Sequence, residues 1–375
     1  MSIPTPCHVI DLDILQNNLE FPIKYLREKA NCHVLLAIKG FSLASILEQM
    51  KHRIDGVCAS GLYEARLGKE KVGKHVFTFS PAYQEHNFHD TSLYSNAIVF
   101  NSMRQFMLYN DIAYKNGCTC GIRINPDYSE LPKNFDANPC QKHSRLGIRF
   151  DDMPPLSMFD VGKIEGIHLH TMCEQGADVL ERTSYALIEK YDSYLKRIKW
   201  LNLGGGQLFS EDGYDLERAA SCLNMLRKQY GFKIYVEPCT GIMGNCGFYI
   251  ATVVDIVQNE MDIAILNGSA ICHMPDTVFR NWKRNVKGAD EVGVNKYNYR
   301  LTGSSCFAGD IWGDYSFPNK LEIGDQVVFE DSAHYTSAKN SMFNGIPLPT
   351  LVTYSKANGY VVEKKYGYEQ YANCQ

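Results

Sequence analysis

HVLLAIKGF, His33 to Phe41, is the stretch that decides the fold. It is a short apolar run, β-branched in part, set between segments of helical character, and it reads as a buried parallel strand. It ends on Lys39 and Gly40. An ammonium at the end of a buried strand is costly without a partner. One use for it is as a nucleophilic amine, its proton affinity lowered by desolvation, that condenses with a carbonyl cofactor. The alternative is a solvated lysine where the strand surfaces, and on this stretch alone that plainer reading is favoured.

Outward from there a regular alternation appears. Cys7 to Leu12 reads as a strand, followed by a helical stretch to about Lys29. Strand candidates then recur at His33–Lys39, Gly56–Ser60, His75–Ser80, Asn96–Asn101, Thr119–Asn125, Gly166–His170, Trp200–Gly206 and Lys233–Pro238. Most gaps carry amphipathic sequence such as SLASILEQMKH and SGLYEARLGKEK. Strand–helix units in such a succession predict an α/β chain whose residues 29–250 close into a (β/α)8 barrel of the TIM type. The gap from Pro126 to Asp160 is too long for a plain helix and rich in Pro, Asn and Asp, so it reads as a functional loop. Beyond Ala251 the segments ATVVDIVQ, IAILNGSA, YNYRLTGSS, DQVVFED and LVTYS are β-rich and separated by turn signals. Residues 251–375 are therefore expected to form an antiparallel β domain, with residues 1–28 joining it through the N-terminal strand.

Composition excludes several classes. Hydrophobic residues make up 45% and charged residues 21% of the 375, ordinary for a globular protein. A net charge of −4 gives no reason to expect nucleic acid or an anionic membrane as partner. No apolar run reaches membrane-spanning length, and the start lacks the layout of a signal peptide. The 13 cysteines are odd in number and scattered, and only Cys118 and Cys120 lie close together. No zinc spacing results, no metal is expected, and reduced cytoplasmic thiols fit best.

In such a barrel the chemistry gathers at the C-terminal strand ends. Lys39, His170, Gly204-Gly205-Gly206 and Glu237 all fall there. The triple glycine lets backbone N–H groups approach an anion, or simply makes a tight turn. His168 and His170 are two apart and would share a strand face; they could chelate zinc, but no further ligands follow. We read one as packed core and His170 as an aromatic platform beneath a cofactor ring. Glu237 beside a pyridine nitrogen would favour the cationic ring, which accepts electrons from a carbanion; alone, it could equally bind a neighbouring lysine. In GSSCFAGD, Cys306 can return a proton to a carbanion and Asp310 can hold a substrate ammonium. Tyr335, in HYTSAKNSMFNG, could donate to a phosphate. Taken singly, the cysteine and the tyrosine would be core residues by default.

Together these residues resemble the pyridoxal 5'-phosphate enzymes of the alanine racemase and ornithine decarboxylase fold (fold type III). Within that group the chain is most similar to carboxynorspermidine (carboxyspermidine) decarboxylases. The matching segments are LLAIKGF, NPDYSE, SRLGI, GIHLHTMCEQ, LNLGGG, VEP, CHMPD, CFAGDIWGDYSF and AHYTSAKNSMFNG. The resemblance implies that Lys39 carries the cofactor, His170 stacks on its ring and Glu237 pairs with its nitrogen. Gly204, Gly205, Gly206, Cys173 and Tyr335 would surround the phosphate. Cys306 and Asp310 would come from the partner of a homodimer, with the active site at the interface. The implied reaction releases CO₂ from an α-amino carboxylate joined to a polyamine chain. Two departures bear on the substrate. Where the family continues Glu-Pro with Gly-Glu, this chain has Cys239 and Thr240, and Thr240 brings no charge to a cationic substrate. Asp276, a further expected substrate contact, is retained, but the segment after it, TVFRNWKRN, carries Arg280, Lys283 and Arg284.

Overall fold

All eight barrel strands are present in the computed structural model, which describes residues 3–375. After β1 (Cys7–Asp11) come β2 (His33–Ala37), β3 (Gly56–Ala59), β4 (His75–Ser80), β5 (Ala97–Phe100) and β6 (Thr119–Asn125). A two-residue strand, β7 (Ile148–Arg149), lies beside β6, and the series continues with β8 (Gly166–His168), β9 (Trp200–Asn202) and β10 (Lys233–Val236). Strands β2 to β6 pair in parallel in sequence, β6 pairs with β8, and β8, β9 and β10 follow until β10 returns to β2. That closure makes a parallel barrel.

Local sequence sets where its helices start and stop. The helix Leu216–Tyr230 begins at Asp215, whose side chain accepts the Arg218 amide, and ends at Gly231 in the left-handed region at φ +79°. Ser102 caps Met103–Lys115 in the same way through Gln105.

Side chains fill the barrel interior. Leu35, Phe77, Ala97, Val99, Trp200 and Tyr235 form one buried cluster. Phe77 meets Trp200 edge-on with ring centroids 5.2 Å apart and lies 4.5 Å from Tyr235. Gly121 and Gly166 make room for the indole, since a side chain at either would run into Trp200. The small residues of β6 and β8 thus complement the large one of β9.

Strands β11 (Gly247–Asn259), β12 (Met261–Leu266), β13 (Tyr297–Thr302), β14 (Ile311–Phe317), β15 (Gln326–Phe329), β16 (Thr350–Ser355) and β17 (Gly359–Lys364) form the second sheet with β1. Its order is β14-β13-β12-β11-β1-β16-β17, with β15 also on β11. The N-terminal strand runs antiparallel to β11 and parallel to β16, so the sheet is mixed. Tyr249, Tyr299, Trp312 and Phe329 anchor its core.

The chain divides into Asn18–Ile242, the barrel, and the segment up to Asn17 with Met243–Gln375. These borders differ from residues 28/29 and 250/251. Asn224 Nδ2 donates to the Lys29 carbonyl at 2.6 Å, which ties the helix Lys24–Ala30 to the barrel. β11 begins at Gly247, opposite Ile10, which draws residues 243–250 into the sheet. Among the described residues no helix is long and apolar enough to cross a membrane.

Candidate active site

Strands β2, β8, β9 and β10 stop short of the apolar runs that announced them, and the chemically loaded residues lie just beyond. β2 ends at Ala37, so Lys39 stands in the following turn, where the Gly40 amide donates to the Ala37 carbonyl at 3.2 Å. Lys39 is exposed rather than buried by its strand. Its charge nevertheless acts on Cys58, Cys239, His168 and His170.

Glu237 follows β10 directly, its amide held by the Gly204 carbonyl at 2.7 Å. Oε1 accepts from Asn202 Nδ2 at 2.7 Å, and Oε2 lies 3.4 Å from His168 Nε2. Burial alone would raise the carboxyl's pKa. His168 and Asn202 outweigh it, assisted by His170, and bring the pKa down to about 2. The group is a carboxylate at any physiological pH.

His170 accepts the Gly205 N–H on Nδ1 at 3.0 Å, which places its own proton on Nε2. Burial, then the charges of Lys39 and Arg123, push its pKa well below the ordinary value. The ring is neutral, a flat apolar plate at the barrel mouth. Gly204 and Gly206 adopt φ of +65° and +94°. A side chain at Gly205 would strike the Glu237 carbonyl, and one at Gly206 the Met172 carbonyl. The Gly204 amide donates to Asn202 Oδ1 at 2.9 Å, and the Gly206 carbonyl accepts from Gln175 at 2.9 Å. Cys173 is half-buried between these segments. Cys239 is buried beneath the mouth, and Thr240, half-buried, opens the one-turn helix Thr240–Met243.

Lys39, His170, Gly204–Gly206 and Glu237 therefore share one end of the barrel. Sequence reasoning passed over Arg123, Asn202, Phe79 and Cys58, and it left His168 as core. Arg123 is buried on β6, its guanidinium 4.6 Å from the Phe79 centroid, and burial takes its pKa down to about 10. Asn202 and Arg123 were detectable as polar residues within apolar strands, where burial demands a partner. The set suits a flat ring with a basic nitrogen, an electrophilic carbon and an anionic tail. The carboxylate can face the nitrogen, the amine the carbon and the glycine backbone the anion.

The other candidates belong to the sheet unit. Cys306 is exposed, its amide donating to Asn344 Oδ1 at 2.8 Å. Asp310 is only 2% exposed. Its Oδ1 accepts the Ile271 amide at 3.1 Å and its Oδ2 the Ser305 amide at 3.2 Å. Within the chain Asp310 thus pins the loop that carries Cys306. Asp276 pairs with Lys339 Nζ at 2.5 Å, and that ammonium lies 5.4 Å from the Tyr335 ring centroid. Tyr335 is half-buried, at φ +55°. Of the three added cations, Arg280 and Arg284 lie 4.9 and 5.2 Å from the Trp282 ring, and Lys283 pairs with Glu291 at 2.6 Å.

Comparison with known proteins adds an independent line. The family model described as pyridoxal-dependent decarboxylase, C-terminal sheet domain, matches residues 8–333. The chain is 37% identical to the carboxynorspermidine/carboxyspermidine decarboxylase of Campylobacter jejuni, over 99% of this chain and 98% of that protein. It is 34% identical to the carboxyaminopropylagmatine decarboxylase of Synechocystis, over 99% and 95%. The crystal structure of carboxynorspermidine decarboxylase from Campylobacter jejuni, complexed with norspermidine, superposes with a TM-score of 0.91 at 34% identity, covering 100% of both chains. Diaminopimelate decarboxylase from Helicobacter pylori, at 16% identity and a TM-score of 0.82, shares the fold.

Proposed function

The chain belongs to the pyridoxal-dependent decarboxylases, and from that premise we propose that it removes CO₂ from an α-amino carboxylate joined to a polyamine chain. Carboxynorspermidine and carboxyspermidine are the substrates in view, norspermidine and spermidine the products. The observation that carries this reading is the barrel mouth: a carboxylate held ionised by His168 and Asn202, a neutral imidazole and an exposed amine around a glycine cradle.

Pyridoxal phosphate is the family's cofactor, and the residues at the mouth fit it. Lys39 would hold its carbonyl carbon, His170 its ring face and Glu237 its ring nitrogen, with Gly204–Gly206 and Cys173 at the phosphate; the family resemblance also implies a phosphate contact for Tyr335. When bound, it supplies an electron sink for the pair left on the α-carbon as CO₂ departs. The chain's own groups do the rest. Lys39 Nζ would be the amine that holds the cofactor between turnovers, in the place the substrate amine would occupy during one. Glu237, ionised, would pair with the ring nitrogen and favour its protonated form. Cys306 Sγ delivers a proton to the α-carbon, on a loop that Asp310 holds in shape. We assign the Cys306 loop to the barrel of a second copy, which makes the working enzyme a homodimer, and we place it in the cytoplasm.

A second reading keeps the chemistry and lowers the substrate's charge. Thr240 brings no carboxylate, and Asp276 is already neutralised by Lys339. Either change would weaken the hold on a distal ammonium.

The experiment is CO₂ release by the cofactor-loaded protein. The panel is carboxynorspermidine, carboxyspermidine, carboxyaminopropylagmatine, free amino acids and diacids. Fast release from the first two, absent in Lys39→Ala, supports the proposal. Release only from a less cationic member establishes the second reading, and no release from any member refutes both.

A further inference from the structure

Glu237 is a buried carboxylate clamped on both oxygens, and one of its supports is a histidine with no assigned role. His168 sits inside the barrel at 2% exposure, its ring stacked on Phe79 with centroids 5.5 Å apart and planes 25° apart. Its Nε2 lies 3.4 Å from Glu237 Oε2. Its Nδ1 is buried and has no hydrogen-bond partner among the described residues. This pattern fixes the tautomer. A nitrogen facing a carboxylate carries the proton, so Nε2–H donates and Nδ1 is a bare acceptor. An imidazolium would instead bury an unmatched N–H, and a lost hydrogen bond at a buried donor is expensive. Burial indeed pushes the His168 pKa down, against the pull of Glu237. The Arg123 guanidinium, 4.6 Å from the same Phe79 ring, opposes a second cation there. Asn202 Nδ2 holds the other oxygen at 2.7 Å, and burial, then the carboxylate, push the pKa of the nearby Cys58 thiol up. Each carboxylate oxygen has a further lone pair to offer.

We propose that His168 is a positioning residue for the cofactor: as a neutral Nε2–H donor it fixes Oε2 of Glu237, so that the carboxylate stays ionised and turned to the ring nitrogen. This rests on the reading that Glu237 meets that nitrogen. Phe79 supplies the ring's footing and Asn202 the opposite clamp, while His168 itself touches no reacting atom.

Two substitutions separate the donor from the packing. His168→Gln keeps an N–H in reach of Glu237 and loses the stacked ring. His168→Phe keeps the ring on Phe79 and loses the donor. Each protein is stripped of cofactor, retitrated with pyridoxal phosphate by visible absorbance, and assayed for kcat and KM. The Phe variant is expected to bind the cofactor about 10-fold more weakly and to lose about 10-fold in kcat with little change in KM, as for one hydrogen bond to a charged group. The Gln variant should stay within about 3-fold of the parent in both, on the same hydrogen-bond argument. If His168→Phe fails to fold, His168→Leu supplies the donor-free arm. Parent-like Phe with impaired Gln would overturn the proposal in favour of packing. Parent-like values in both, with Glu237→Gln inactive, would overturn it while leaving the reading of Glu237 intact. A parent-like Glu237→Gln would remove that reading and this inference together.

Discussion

Two buried histidines in the sheet unit should make the protein acid-labile, and one substitution should reverse part of that. His8, 1% exposed, accepts the Asn340 amide on Nε2 at 3.1 Å, and its ring lies 5.2 Å from Tyr249. His273 is fully buried and accepts the Tyr249 hydroxyl on Nδ1 at 2.7 Å. Burial brings the pKa of His8 down to about 4 and that of His273 to about 3. An unfolded histidine takes up its proton near pH 6.5. Stability is therefore whole above that value, falls as the pH drops through it, and levels off only below the folded values. At 1.36 kcal/mol per pKa unit, each histidine has lost roughly 2 kcal/mol by pH 5, about 4 kcal/mol together. That is a large part of the 5–15 kcal/mol that holds a domain folded. His8→Phe keeps the ring against Tyr249, removes the titrating nitrogen and gives up the Asn340 bond, about 1 kcal/mol. Urea unfolding followed by circular dichroism from pH 8 to pH 5 is the assay. The variant should be less stable than the parent at pH 8 and as stable or more so at pH 5, so the two curves cross. The barrel histidines titrate in both proteins and cancel in the difference. A constant gap between the curves across that range would refute the reasoning.

The barrel and its mouth invite three further tests. Gly206→Ala should reduce cofactor affinity at least 10-fold, because φ of +94° and the Met172 carbonyl leave no room for a side chain; retitration with pyridoxal phosphate reads it. Trp200→Ala should lower stability by about 3–5 kcal/mol, since Gly121 and Gly166 cannot fill the space left by the indole, and thermal unfolding measures it. Asp310→Asn should disturb the Cys306 loop, because an amide NH₂ would face one of the backbone amides that now donate to the carboxylate. Raised protease sensitivity near residues 303–310 and a fall in kcat are expected; a rise in KM alone would return Asp310 to ammonium binding.

Much of this architecture was legible because its signals are local. An apolar run followed by an amphipathic stretch needs no distant information, and the eight strands appear where those runs lie. Their ends were less legible. The runs to Lys39, His170, Gly206 and Pro238 continue past Ala37, His168, Asn202 and Val236, where pairing stops. Alternation along a strand therefore misleads at His168 and His170. They would share a face on an extended strand, yet one meets Glu237 and the other the Gly205 amide. Asn202 and Arg123 acquire meaning only from neighbours far along the chain. For Asp310 the loop is legible in the sequence, but the amides of Ile271 and Ser305 that its carboxylate accepts come from the folded backbone.

The indole seated across Gly121 and Gly166 also governs traffic. Trp200, Phe77 and Tyr235 fill the barrel's interior, so it is a packed core and not a channel. On the proposed reading, substrate would enter, and both gas and amine leave, by the same doorway at the strand ends. A slow-leaving amine would stand in the path of the next molecule. Accumulated product should therefore act as a competitive brake on the enzyme that made it.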